Sequence, residues 1–372
     1  MARILYMVAG EGNGHATRSA AVIEELKARG HEVVAVSDRM AFSILEGVAD
    51  KTIEAVTPGM KYQNNTVSAW GTLFQNLVQV PRAVRDIAKL RSFAKKWKPD
   101  LIVTDFNPMA AFLSGAPIIS LDNQHAITHA NIEVPKGCLI EFIKSWIVVK
   151  IVVPRAKKRI VTSFFNSPMI HNAASVGPVL SNSLRSLKSL NSLRSLKSSK
   201  SSRSLRSLRS SISLKPTSLK PRTGKHLLVY QTTPTNKKLA ELLPALNMEI
   251  AAYGFRKVGR EGKVRFMPFD VEGWQKDLTS CRAVVVNGGF SLITEALHLH
   301  KPILCFPIMH QFEQILNAYY LEKEGLGMWA KEISLAEFDS FLKRIKMFEK
   351  NISKRSWKDG TKEAVDIIED VL

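Results

Sequence analysis

Between an apolar run and a helical pattern stands GEGNGHATRS, Gly10 to Ser19. A glycine-rich loop lets a phosphate or sugar approach the backbone, and a histidine at its end can take a proton from a hydroxyl near neutral pH. A second such place is VVVNGGFSLITEALHLHKPILCFPIMHQFEQILNA, which runs from a strand into Gly288 and Gly289 and then into a helix starting near Phe290. Those glycines allow a diphosphate to reach the unpaired N–H groups of the helix start. Glu295, about a turn inside, is placed to accept hydrogen bonds from ribose hydroxyls. Glu313 and Gln314 follow the next strand and suit sugar hydroxyls. Asp105 ends PDLIVTD, at the C-terminal end of a strand, where α/β sites gather. In DNQHAITH, His125 and His129 are four apart and follow the strand APIISL; they either line the acceptor side of a cleft or are structural or solvated loop histidines.

A dinucleotide fingerprint is the competing reading of the first loop. Gly10, Gly12 and a later glycine would then shape the turn under a pyrophosphate, and Asp38 would bind ribose. The sixth position of that motif calls for glycine or alanine to pack helix on strand, and here it holds His15.

These residues need elements to hold them. RILYMVAG, HEVVAVSD, PDLIVTD, APIISLD and RIVTSFF read as short buried strands alternating with amphipathic helices such as ATRSAAVIEELKARG. HLLVYQTT, EIAAYGF, VRFMPF, RAVVVNGG and PILCFPI repeat the pattern in the second half. Alternation of this kind implies parallel sheets with helices on both faces. The expected architecture is α/β, with two doubly wound Rossmann-like domains facing a cleft. The first covers residues 1–178 and the second 225–372, with the last helix packing back on the first domain.

Residues 179–224 read as the linker between them. The net charge of +20 is local: residues 142–240 hold 20 Lys and Arg and no acid, leaving 33 basic and 33 acidic residues elsewhere. The segment repeats a Ser-Leu-basic triplet, and leucines three apart advance ~300° around a helix, so no stable apolar stripe forms. A disordered, low-complexity linker is expected. Without interleaved aromatics it offers only salt-sensitive, nonspecific phosphate binding, so no specific nucleic-acid partner is expected.

Cys138, Cys281 and Cys305 are odd in number and lack ligand spacing, as fits reduced thiols in a cytoplasmic protein. No apolar run reaches a membrane span, and the start leads directly into the glycine loop rather than a cleavage site. No Asp-x-Asp motif or His/Cys cluster suggests a metal. LIEFIKSWIVVKIVVPRAKKR joins apolar residues to a basic cluster. It is either a peripheral contact with the inner face of a membrane, suited to a lipid-linked or glycan acceptor, or a buried helix leading into RIVTSFF.

With these motifs in place, the chain resembles the GT-B glycosyltransferases, in particular the family of the bacterial peptidoglycan N-acetylglucosamine transferase and the UDP-glycosyltransferases. A signature there begins with His or Arg and reaches Glu eight residues on, matching Asn287 and Glu295. An acid–Gln pair before Asn-Ala matches Glu313-Gln314 before Asn317-Ala318, and the N-terminal loop matches GNGH. The resemblance spans both domains but not residues 181–222. It implies an inverting, metal-independent transfer from a UDP-sugar, a co-substrate rather than a cofactor. His15 would be the general base, paired with Asp105. Gly12 and Gly14 would open space for acceptor and donor. The donor wall would comprise Thr232, Thr233, Phe269, Asn287, Gly288, Gly289, Phe290, Ser291, Leu292, Glu295, Glu313 and Gln314. Asn287 stands where relatives place a cation or histidine, so the diphosphate would lean on backbone amides and on Thr232 and Thr233. An epimerase or hydrolase on the same fold, and a binding protein without catalysis, are the alternatives.

Overall fold

The computed structural model describes residues 1–63, 65–152, 155–170, 172–182, 184–185, 224–232, 234 and 236–372. The first half builds a seven-stranded parallel sheet from β1 (Arg3–Val8), β2 (Glu32–Ser37), β3 (Lys51–Glu54), β6 (Leu101–Asp105), β7 (Ile118–Asp122), β8 (Lys158–Thr162) and β9 (Ala173–Val176), in the order β3-β2-β1-β6-β7-β8-β9. The short strands β4 (Tyr62–Gln63) and β5 (Thr66–Val67) form a separate hairpin. A second seven-stranded sheet joins β10 (Leu227–Tyr230), β11 (Ile250–Tyr253), β12 (Gly259–Glu261), β13 (Val264–Met267), β14 (Ala283–Val286), β15 (Ile303–Cys305) and β16 (Gly327–Trp329). Its order is β12-β13-β11-β10-β14-β15-β16, with β12 alone antiparallel. Central strands such as AVVV and IAAY are buried throughout, which is why they read as unbroken apolar runs.

In each sheet the chain leaves its first strand toward one side and its later strands toward the other. The crevice at that switch point is where α/β folds bind ligands. In the first sheet it lies between β1 and β6, whose pairing ends with Val8 opposite Asp105. From β1 the glycine loop leads into α1 (Asn13–Ala28), so the helix start faces Asp105. In the second sheet β14 leads through Asn287–Gly289 into α8 (Phe290–His298).

Aromatic side chains seal the two halves together. Phe165 stacks on Tyr320 with ring centres 3.8 Å apart, and Phe164 packs against Phe290. The final helix, α11 (Thr361–Glu369), lies on α1, with Ala364, Val365 and Ile368 in the first core and Arg29 paired to Asp366 and Glu369.

Two expectations need correction. The folded chain continues past residue 178: Val179, Leu180 and Leu184 are buried, and Arg185 pairs with Glu25 and Asp359. The leucine and arginine of the first repeat are thus part of the packed structure, while residues 186–223 lie outside the described residues. The apolar stretch 139–152 forms α5 (Leu139–Val152), but it is not a buried helix. Only Val149 of this helix is buried, and Leu139, Ile140, Ile143, Trp146, Ile147, Val148 and Ile151 are exposed.

Candidate active site

The two helix starts converge on a cleft of about 770 Å³. A Cβ added at Gly14 would come within 2.7 Å of Ser291 Oγ, so glycine permits this approach between α1 and α8. Gly14 lines the cleft at the point where the two halves come together. Gly12 has φ +79° and faces open space, which suits a loop lining the cleft.

His15, on the first turn of α1, donates from Nδ1 to Asp105 Oδ1 at 2.7 Å. Asp105 is fully buried and receives further hydrogen bonds from Arg18 Nε (3.0 Å), Arg18 Nη2 (2.7 Å) and Ser19 Oγ (3.0 Å). Burial pushes this carboxyl up, yet Arg18 and His15 outweigh it and hold it below its usual range. Burial likewise pushes the imidazole down. Asp105 opposes that through charge and hydrogen bond, and the balance leaves His15 above its ordinary value despite the nearby Arg18. Because Asp105 only accepts, the proton sits on Nδ1 and the ring's Nε2 is left as the basic nitrogen. Arg18 Nη2, 3.1 Å from Nδ1, shares the carboxylate with the ring.

On the second half, Gly288 has φ +100°, and a Cβ there would meet the Gln314 carbonyl at 2.9 Å. It lies behind the cleft wall and makes the turn. Gly289, with nothing within 4 Å, is the residue at the open helix start. Phe290 is buried against Phe164, while Ser291, Leu292 and Glu295 line the cleft. Burial raises the Glu295 carboxyl, with hydrogen bonds from Ser181 opposing. Asn287 ties local structure together: its Oδ1 accepts from Thr232 N at 2.9 Å, and its Nδ2 donates to Phe306 O and Asn65 Oδ1. Thr232 also lines the cleft, whereas Thr233 lies outside the described residues. Phe269 packs against Trp274, which meets Tyr230 edge-on, giving an aromatic wall at one end. Gln314 Oε1 accepts from Ile308 N, fixing the loop after β15. Glu313 accepts from Asn123 Nδ2 at 2.8 Å across the cleft.

Of the two readings of His125 and His129, the structure fits the structural one: both are buried inside the first half, outside the cleft wall. His125 Nδ1 donates to Asp122 Oδ2 at 2.7 Å, and Thr128 Oγ1 lies 2.7 Å from His129 Nδ1. Asp38 does not face a ribose either. Its carboxylate is buried and takes hydrogen bonds from Thr57 Oγ1, Thr57 N and Arg39 Nε, which removes the acid that the dinucleotide reading requires.

Sequence reasoning missed Arg18, Asn123 and the pair Glu11 and Tyr62, all of which line the cleft. Arg18 was within reach of pattern reading, since it sits three residues after His15 on one helical face. Asn123 directly follows a strand end. Tyr62 and Glu11 come together only through the hairpin β4-β5, whose two-residue strands leave no periodicity to read.

Two facing doubly wound halves, with their helix starts at a shared cleft, make up the GT-B architecture. The chain belongs to the family described as glycosyl transferase family 1, whose model matches residues 2–209 and 196–346. Among solved structures, the glycotransferase of kitacinnamycin is 16% identical with a TM-score of 0.64, covering 100% of this chain and 99% of that one. MurG of Acinetobacter baumannii is 13% identical with a TM-score of 0.60, covering 100% of both chains. The glycosyltransferase SsfS6 of Streptomyces sp. SF2575, solved with thymidine diphosphate, is 17% identical with a TM-score of 0.58, again covering 100% of both. A comparison with curated protein sequences gives no match.

Proposed function

We propose that this glycosyltransferase moves a sugar from a UDP-sugar to an acceptor hydroxyl, with inversion and without a metal ion. The observation that carries the reading is the His15–Asp105 pair, 2.7 Å apart, at a helix start that meets the start of α8. His15 Nε2 takes the acceptor's hydroxyl proton as that oxygen bonds to the anomeric carbon. The bond from that carbon to the diphosphate oxygen breaks, and attack from the opposite face inverts the centre. Backbone N–H groups at Gly289 and the start of α8 receive the charge developing on the diphosphate. Asp105 stabilises the imidazolium and holds its orientation, a role that its own buried ion pair with Arg18 sustains.

Glu295 faces the ribose in this reading, Phe269 and Trp274 the base, and Glu313 the sugar. A nucleoside diphosphate bound to the structural neighbour SsfS6 supports the donor class. No helix among the described residues is long and apolar enough to cross a membrane. The exposed apolar faces of α5 and of α3 (Ala69–Trp97), with Trp70, Phe74, Leu77 and Val78 outermost, instead favour a lipid-linked acceptor presented at a membrane surface. Calorimetry with UDP, TDP and GDP, followed by single-turnover transfer, tests the assignment. Replacing His15 with Ala is expected to leave nucleotide affinity unchanged and to slow transfer by ~10²-fold or more. Near-normal transfer by that variant would remove His15 as the base.

A further inference from the structure

Asn123 immediately follows β7 and is almost wholly buried at the meeting of the two halves. Its Oδ1 accepts from Arg18 Nη1 at 3.0 Å, while its Nδ2 donates to Glu313 Oε1 at 2.8 Å. The side-chain amide suits both partners, accepting from the cation with its oxygen and donating to the carboxylate with its nitrogen. Arg18 in turn holds both oxygens of Asp105, which holds His15. On the far side Glu313 stands in the first turn of α9 (Phe312–Lys323), near Asn317, whose Nδ2 donates to Gly288 O at 3.0 Å. A single run of polar contacts thus leads from the imidazole of one half to the glycine turn of the other.

We propose that Asn123 is a positioning residue that couples the donor-side acid Glu313 to the acceptor-side base, a proposal that rests on the reading of His15 as that base. A sugar hydroxyl engaging Glu313 resets the partner of Nδ2. The adjustment passes through Oδ1 to the guanidinium, and from there to the carboxylate that orients His15. The base is fully ordered only when the donor side is in place.

The test uses the full chain with Asn123→Asp, alone and combined with Glu313→Gln, and with Glu313→Gln as background. Alone, Asn123→Asp sets a carboxylate against Glu313, and kcat falls about tenfold while the donor KM changes less than about twofold. The added negative charge beside Arg18 also raises the acid limb of the pH–rate profile. In the Glu313→Gln background the introduced carboxylate meets an introduced amide, so the same substitution costs less than about twofold. Equal costs in both backgrounds, or an unmoved acid limb, overturn the proposal. Asn123→Ser, which shortens the bridge without adding charge, gives a second reading if Asn123→Asp folds poorly. It lowers kcat in the native background and has no further effect beside Glu313→Gln. The His15→Ala assay separates the two failures, since a transfer-competent His15→Ala protein sinks the base assignment whatever Asn123 does.

Discussion

His15 and Asp105 shift each other in opposite directions, and this fixes the sign of the pH dependence. A base must be neutral to act, so transfer should rise with pH through a His15 midpoint above the ordinary value of about 6.5. Replacing Asp105 with Asn removes the partner that raises this midpoint. The acid limb should move to lower pH, and kcat at its plateau should fall by ~10²-fold or more, because the ring loses both orientation and stabilisation of its charge. For stability the signs divide. The raised His15 contributes below its unfolded pKa and loses that contribution as pH rises through the folded one. The depressed Asp105 contributes above its unfolded pKa and loses it as pH falls. A pH–rate profile of both proteins checks the first claim, and unfolding at several pH values checks the second. Glycines provide another contrast at this scale. Gly288→Ala should cost ~1–3 kcal/mol in urea unfolding, since φ is +100° and the Gln314 carbonyl blocks the new methyl. Gly289→Ala should leave stability nearly unchanged yet weaken nucleotide binding, as its methyl enters the open helix start.

At the scale of elements, much of the arrangement was legible. Strands such as AVVV and IAAY are continuous apolar runs because both faces of a parallel sheet are covered. The glycine loop and Gly288-Gly289 stood out because a turn and a helix start demand them. What pattern could not supply is contact at long range. His15 and Asp105 are 90 residues apart, and nothing local in DNQHAITH says that its histidines turn inward rather than toward the cleft. The helix α5 was ambiguous for a related reason: apolar residues all round fit a buried helix as well as a membrane face. Its exposed Ile140 and Ile151 give the decisive test. Replacing both with Asp should leave transfer to a soluble acceptor intact and weaken sedimentation with anionic liposomes, the α3 face remaining. Undiminished liposome binding would remove α5 from the lipid contact.

For the whole molecule, the place where the repetitive segment is cut should decide whether the protein survives. Residues 186–223 combine one sign of charge with a simple triplet, so replacing them with a short Gly/Ser stretch should leave melting temperature and nucleotide affinity unchanged. Beginning the replacement at residue 179 removes buried Val179, Leu180 and Leu184 and the Arg185 ion pairs. That protein should unfold several degrees lower, since truncating even one buried leucine costs ~2–5 kcal/mol. Calorimetric scans of the two proteins side by side separate these outcomes.

The last helix has a consequence for the order of events during synthesis. Ala364, Val365 and Ile368 of α11 cover apolar side chains of α1 that the ribosome releases long before α11 itself. At elongation rates of roughly 5–20 residues per second, on the order of ten to tens of seconds pass before that cover exists. Throughout this interval the nascent first half carries an uncapped greasy face, a natural target for a holding chaperone. Its final consolidation is coupled to the emergence of the very segment that follows the second half.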